Sequence, residues 1–166
     1  MKKMDFYGIG PKIGIVLIPW LAVSIVASCI SDSFNFIQER SSGLTITGAI
    51  LLIFGLIFYF SSVRLLLSGL KEGKLVTNGT FSLCQNPLYM SFILFLIPAI
   101  ALLLNSWLVL TSSLVGFILL KVHVKKEYQM LEEFFGDKYL RYKSETPEFF
   151  PFPINKWMKK IEGYSK

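Results

Sequence analysis

The chain has 166 residues, 53% of them hydrophobic and only 17% charged, where an ordinary soluble domain carries about 25% charge. With a mean hydropathy of +0.56, this composition excludes a disordered chain and a water-soluble globule, because a domain of this size has too little interior to hide so much apolar surface. The formal net charge of +6 then reads as loops facing anionic headgroups, with no nucleic acid as partner.

A membrane-spanning helix needs roughly 20 mostly apolar residues. The first candidate is 13–30, uncharged throughout, with Pro11 and Gly14 leading into it. The second is 44–67, with Arg64 near its end. From Leu88 to Leu120 no residue is charged, which is too long for one crossing. Asn105 and Ser106 interrupt that run, and Trp107, a residue favoured at membrane interfaces, follows them. The run therefore reads as a helical hairpin, 88–104 and 107–124. This predicts an all-α integral-membrane protein of four crossings in a single domain, 1–166. Between the second and third helices lies an irregular loop containing Gly69, Gly73, Gly79 and Pro87.

After the last crossing the pattern turns amphipathic, with Val124, Tyr128, Leu131, Phe134 and Phe135 at three- and four-residue steps. Gly136 interrupts it, and Pro147, Pro151 and Pro153 force an extended segment. In the tail, Ile154, Trp157, Met158 and Ile161 share one helical face between lysines, the pattern of a helix lying on an anionic membrane. Sixteen of the seventeen basic residues fall on one side of this layout, Arg40 being the exception. The positive-inside rule places both termini, and the segment 125–166, in the cytoplasm.

Lys2 and Lys3 before an apolar run, with Val26-Ala27-Ser28-Cys29 at its end, also resemble a bacterial lipoprotein signal. Cleavage there would leave three crossings and move the C-terminus outward, against the charge asymmetry. Cys29 and Cys84 have no metal-ligand spacing, and no metal site is expected. Gly8, Gly10 and Gly14 are a loose glycine cluster without a preceding strand, which does not make a dinucleotide fold.

Two segments carry chemistry. One is the polar loop 75–89, Leu-Val-Thr-Asn-Gly-Thr-Phe-Ser-Leu-Cys-Gln-Asn-Pro-Leu-Tyr. The other begins at Glu127-Tyr128-Gln129-Met130-Leu131 and continues through Phe135-Gly136, Tyr139, Tyr142, Pro147 and Pro151. Together, over about residues 73 to 152, they resemble the isoprenylcysteine carboxyl methyltransferase family, small integral-membrane methyltransferases related to the phospholipid N-methyltransferases. That family has a Leu-Val-Thr-x-Gly-x-Tyr loop, then Arg-His/Asn-Pro-x-Tyr opening a helix. After a helical hairpin come Glu-Glu-x-x-Leu-x-x-x-Phe-Gly-x-x-Tyr-x-x-Tyr and a Pro-rich end.

The resemblance implies S-adenosylmethionine as methyl donor, bound at the cytoplasmic face. Carried over by position, its contacts are Lys74, Leu75, Val76, Phe81, Asn86, Pro87, Leu88, Tyr89 and Glu127. His123 falls on the family's basic substrate-contacting position, and Gln85 stands where the family has Arg. Both are candidate catalytic residues. Phe81 replaces Tyr, Tyr128 replaces the second Glu, and His123 replaces Arg.

The residues support such a site on their own terms. His123 and Glu127 lie four apart on one helix face, at a membrane boundary where ionisable groups mark function. Glu127 accepts hydrogen bonds from hydroxyls or an amino group, and Tyr89 and Phe81 offer aromatic faces to a sulfonium cation. Methyl transfer is an in-line displacement that needs alignment and electrostatics more than many side chains.

The function expected is therefore methyl transfer to a lipophilic or lipid-linked acceptor drawn from the membrane lipids: a prenylcysteine-type carboxylate, or a lipid hydroxyl, amine or thiol. Losing two fixed positive charges weakens the carboxylate case. His123 would serve a carboxylate as a cation, or the other acceptors as a neutral base. The alternative is a non-catalytic membrane scaffold or a family member that has lost turnover. The sequence leaves the acceptor and the oligomeric state open.

Overall fold

A computed structural model describes residues 9–38 and 41–149. The predicted tail helix around Trp157, the basic pair Lys2 and Lys3, Gly8, Arg40, Pro151 and Pro153 lie outside the described residues. Helix α1 runs Gly10–Ile30 with Pro11 in its first turn, where the missing N–H is no loss. Helix α2 runs Ser42–Glu72. The Ser41 hydroxyl accepts from Gly43 N–H at its start, and Gly73, at φ +62°, ends it. The third crossing is built in pieces: α3 Pro87–Met90, a π-helical stretch Ser91–Leu96, and α4 Ile97–Leu103. Helix α5 runs Trp107–Phe135, capped by the Ser106 hydroxyl on Val109 N–H at 3.3 Å. Helix α6, Asp137–Glu145, follows a turn at Gly136.

Three of these helices, α1, α2 and α5, are long and apolar enough to cross a membrane, and Pro87–Leu103 is a shorter apolar fourth. The protein is an all-α integral-membrane protein, as its composition requires. The hairpin turn falls at Asn105, which holds φ +54°. At 1.5 Å per residue α5 is about 44 Å long, more than the roughly 30 Å of hydrocarbon, so its last turns project beyond the membrane.

Helix α1 packs on α5, α5 on the third crossing, and the third crossing on α2. The contact of α2 inverts the soluble pattern. Its buried residues are Gly48, Gly55, Ser62 and Gly69, one every seven positions, while Ile46, Ile50, Ile53, Ile57 and Phe60 face outward. Lipid is as apolar as leucine, so a membrane helix gains by close approach, which small residues permit. A Cβ on Gly55 would stand 2.8 Å from Phe95 Cβ, and one on Gly69 would collide with Val76.

Polar loops close the bundle at both ends. At one end the turn 104–106 meets residues 33–37. Phe36 N–H donates to Asn105 O (3.0 Å), Asn105 Nδ2 to Ile37 O (2.7 Å) and Trp107 Nε1 to Ser33 O (3.4 Å). The other end gathers the loop 73–86, the projecting part of α5, α6 and the strap 146–149.

Candidate active site

Asn86 sits at the centre of that second end. Pro87 starts α3 and leaves the Asn86 side chain free to bind elsewhere. Its Nδ2 donates to the Tyr128 hydroxyl and to Glu148 O (2.9 Å), tying the loop to α5 and to the strap. Gln85 binds the same strap: its N–H donates to Pro147 O (2.9 Å) and its Nε2 to Thr146 O (2.6 Å). The Tyr142 hydroxyl of α6 donates to Phe81 O at 2.7 Å. The loop is thus held in place by its neighbours, although its only regular element is the short 3₁₀ turn Gly79–Ser82.

These contacts enclose a cavity of about 90 Å³. Leu66, Leu70, Leu75, Val76, Phe81, Leu131 and Phe135 form its apolar walls, and Gln85, Asn86, Glu127, Tyr128, Tyr139, Tyr142 and Lys74 its polar ones. A larger cleft of about 600 Å³, carrying Lys138 and Arg141, shares Lys74, Leu75, Phe135 and Tyr142 with the cavity. Glu127 accepts from the Tyr89 hydroxyl at 3.3 Å, and the Ile9 backbone N–H also binds its carboxylate. The start of α1 therefore reaches the site.

Tyr89 also borders a second space. An apolar groove of about 270 Å³ runs between α1, the π-helical stretch and α5, lined by Gly10, Ile13, Gly14, Leu17, Phe92, Ile93, Gly116 and Leu120 among others. A side chain at Gly10 would begin 3.9 Å from Tyr89 Oη. Polar cavity and apolar groove thus adjoin the two partners of one hydrogen bond, Tyr89–Glu127.

The structure brings most of the sequence candidates together. Lys74, Leu75, Val76, Phe81, Gln85, Asn86 and Glu127 line the cavity, and Tyr89 lines the groove and binds Glu127. Pro87 and Leu88 line neither. His123 also lines neither; its Nδ1–H donates to Leu119 O (2.8 Å) in its own helix, leaving Nε2 as its acceptor.

Tyr139 and Tyr142, which the motif includes without assigning them a contact, are lining residues here. Burial raises the pKa of both hydroxyls above the usual phenol range, so both are neutral donors at physiological pH. Burial likewise pushes the Cys84 thiol up to about 11, which keeps it protonated and inert. Among the described residues no cluster of His, Cys, Asp and Glu could hold a metal.

A family model for phospholipid methyltransferases matches residues 44–138, from the start of α2 into α6. No curated protein matches the chain. The matched span holds the loop, the Asn86-Pro87-Leu88-Tyr89 helix start and Glu127, while α1 lies outside it. The chain belongs to the phospholipid methyltransferase family, integral-membrane methyltransferases related to the isoprenylcysteine carboxyl methyltransferases.

Proposed function

We propose that this protein transfers a methyl group from S-adenosylmethionine to a nucleophile on a lipophilic acceptor, with both termini in the cytoplasm. The observation that carries this reading is the meeting of two unlike spaces at Tyr89 and Glu127. A cavity of mixed polar and apolar lining, joined to a cleft with side chains of both charges, suits a soluble donor that itself carries both charges. An apolar groove between membrane helices suits a hydrocarbon chain. A membrane methyltransferase has to hold both reactants at one point.

The side chains fit the donor. Glu127 offers carboxylate oxygens to ribose hydroxyls or to the amino group. Phe81 and Tyr89 present aromatic faces for a cation. Lys74 and Leu75 belong to the wall shared with the outer cleft, Val76 lines the cavity alone, and Asn86 and Pro87 fix the loop and helix start from which Leu88 and Tyr89 project. S-adenosylmethionine supplies an activated methyl group. The protein's part is to align it, exclude water, and place negative charge near the positive centre.

The acceptor groove argues against an anionic nucleophile, because no charged residue among those described lines it. In the adjoining cavity Gln85 is uncharged where the resembling family has Arg, and Lys74, its cation, is exposed and paired with Glu72 at 2.9 Å. A carboxylate acceptor would meet Glu127 without a fixed countercharge. A lipid amine, hydroxyl or thiol has no such need. The acceptor's proton then needs a base, and His123, one helical turn before Glu127, is the nearby candidate: it lines neither space, but its Nε2 is not used by the Leu119 contact.

The test is incubation of purified protein with methyl-labelled S-adenosylmethionine and a total lipid extract. Label in an amine, hydroxyl or thiol of a lipid supports the reading. Label released by mild base as a methyl ester would overturn the acceptor assignment, and no label in any lipid would overturn the enzyme.

A further inference from the structure

The cavity holds more hydrogen-bonding capacity than the protein uses. Asn86 Nδ2 is spent on Tyr128 and Glu148, the Tyr142 hydroxyl on Phe81 and Gln85 Nε2 on Thr146, while Glu127 keeps acceptor capacity beyond its bond from Tyr89. Two further atoms are unpaired. Gln85 Oε1 and Tyr139 Oη are both buried and have no partner among the described residues. Tyr139 is only 1% exposed, so bulk water does not compensate its hydroxyl. Buried polar atoms are nearly always paired, and of the unpaired ones among the described residues these two belong to residues that line the cavity.

The chemistry of the two atoms restricts that partner. Gln85 Oε1 accepts only, so the ligand must donate an N–H or O–H to it. The Tyr139 hydroxyl, neutral through burial, can donate to a ligand acceptor. The surrounding walls are aliphatic and aromatic, suited to the faces of a flat ring. A carboxylate fits badly, because it has no proton for Gln85 Oε1. An ammonium fits badly, because it has no acceptor for Tyr139 and gains nothing from apolar walls.

We propose that this cavity seats the adenine base of the methyl donor, with Gln85 Oε1 accepting from its exocyclic amine and the Tyr139 hydroxyl donating to a ring nitrogen. This rests on the reading of the donor site above and makes Gln85 and Tyr139 recognition residues within it.

The test is calorimetry on the full-length protein in detergent with S-adenosylhomocysteine and with S-inosylhomocysteine, whose base carries a carbonyl in place of the amine. The wild type should prefer the adenosyl compound by about tenfold, as expected for mismatched hydrogen bonds. Tyr139→Phe should weaken its binding by about threefold to tenfold, without lowering the unfolding temperature of the ligand-free protein. Gln85→Met should remove most of the preference. The wild-type comparison needs no variant, so a misfolded mutant does not remove the test. Equal wild-type affinity for the two compounds, or unchanged affinity in Tyr139→Phe, would mean that the cavity holds water and would overturn this inference alone. Binding of neither compound by the wild type would overturn the donor site and this inference with it.

Discussion

The two ends of the bundle are built from similar material, polar loops between apolar helices, and they treat it differently. At the hairpin end the buried polar groups are short and neutral. Ser106 caps α5 and meets Ser28 at 2.6 Å, and Asn105 donates to Ile37, though its Oδ1 has no partner among the described residues. The opposite end buries or half-buries a carboxylate, four tyrosines, a glutamine and an asparagine around an open volume. Burying an ionisable group in or beside a membrane is expensive, and chains that do so use it. The hairpin end is closed, and the other end is arranged to receive something.

Orientation is the largest all-or-none test of that contrast. The receiving end should face the cytoplasm, where a soluble methyl donor is available. With Cys29 replaced by Ser, a membrane-impermeant maleimide applied to intact cells should label a cysteine at Ser33 and not one at Glu145. Labelling at Glu145 alone would turn the site outward and separate it from its donor.

Glu127→Ala comes next. Losing a hydrogen bond to a charged group costs about 1.5–3 kcal/mol, so S-adenosylhomocysteine affinity should fall about tenfold to a hundredfold in calorimetry. Glu132→Ala, on the exposed side with Lys143 at 3.9 Å, should change it little, because surface pairs contribute about 0–1 kcal/mol. Equal losses would assign the effect to helix charge and not to the site.

The small-residue seam of α2 supports both ends, so disturbing it should lower stability without selecting one of them. Gly55→Val would press on Phe95 and Leu96 and should cost about 1–3 kcal/mol, read as denaturation midpoint in mixed detergent. Ile53→Val, facing lipid, should stay within about 0.5 kcal/mol. A seam variant as stable as the wild type would remove close helix approach from the account.

Much of this was legible in the sequence, for identifiable reasons. Uncharged runs mark the crossings because lipid tolerates little else, and Asn105-Ser106 marked the hairpin because polar residues in such a run are costly. Helix ends were less legible: α2 reaches Glu72 and α5 reaches Phe135, since helices continue past the membrane wherever nothing stops them. The loop residues and Glu127 were singled out by the resemblance to the family's motifs, and the structure brings most of them to one cavity.

The heptad of small residues in α2 went unread, although its regular spacing is visible, because hydrophobic periodicity weighs large residues and the signal here lies in small ones. Tyr139 and Tyr142 fit helical spacing too well to be separated from core residues. Their difference is an unpartnered hydroxyl in one and a loop carbonyl in the other, which only tertiary structure reveals. The contact of Ile9 with Glu127 joins residues 118 positions apart in sequence and had no local signal.

The central claim is that donor and acceptor occupy separate spaces that meet at Tyr89 and Glu127. Gly14 tests it most directly, because it lines the groove and not the cavity, and the nearest atom to a Cβ there is Ile18 Cδ1 of its own helix at 3.5 Å. The measurement is methyl-transfer kinetics of Gly14→Phe with the lipid acceptor, alongside calorimetry with S-adenosylhomocysteine. The account predicts an acceptor KM raised about tenfold or more, as overfilling a packed space by a few kcal/mol implies, with donor affinity unchanged. An unchanged acceptor KM, or donor affinity lost in parallel, would contradict it.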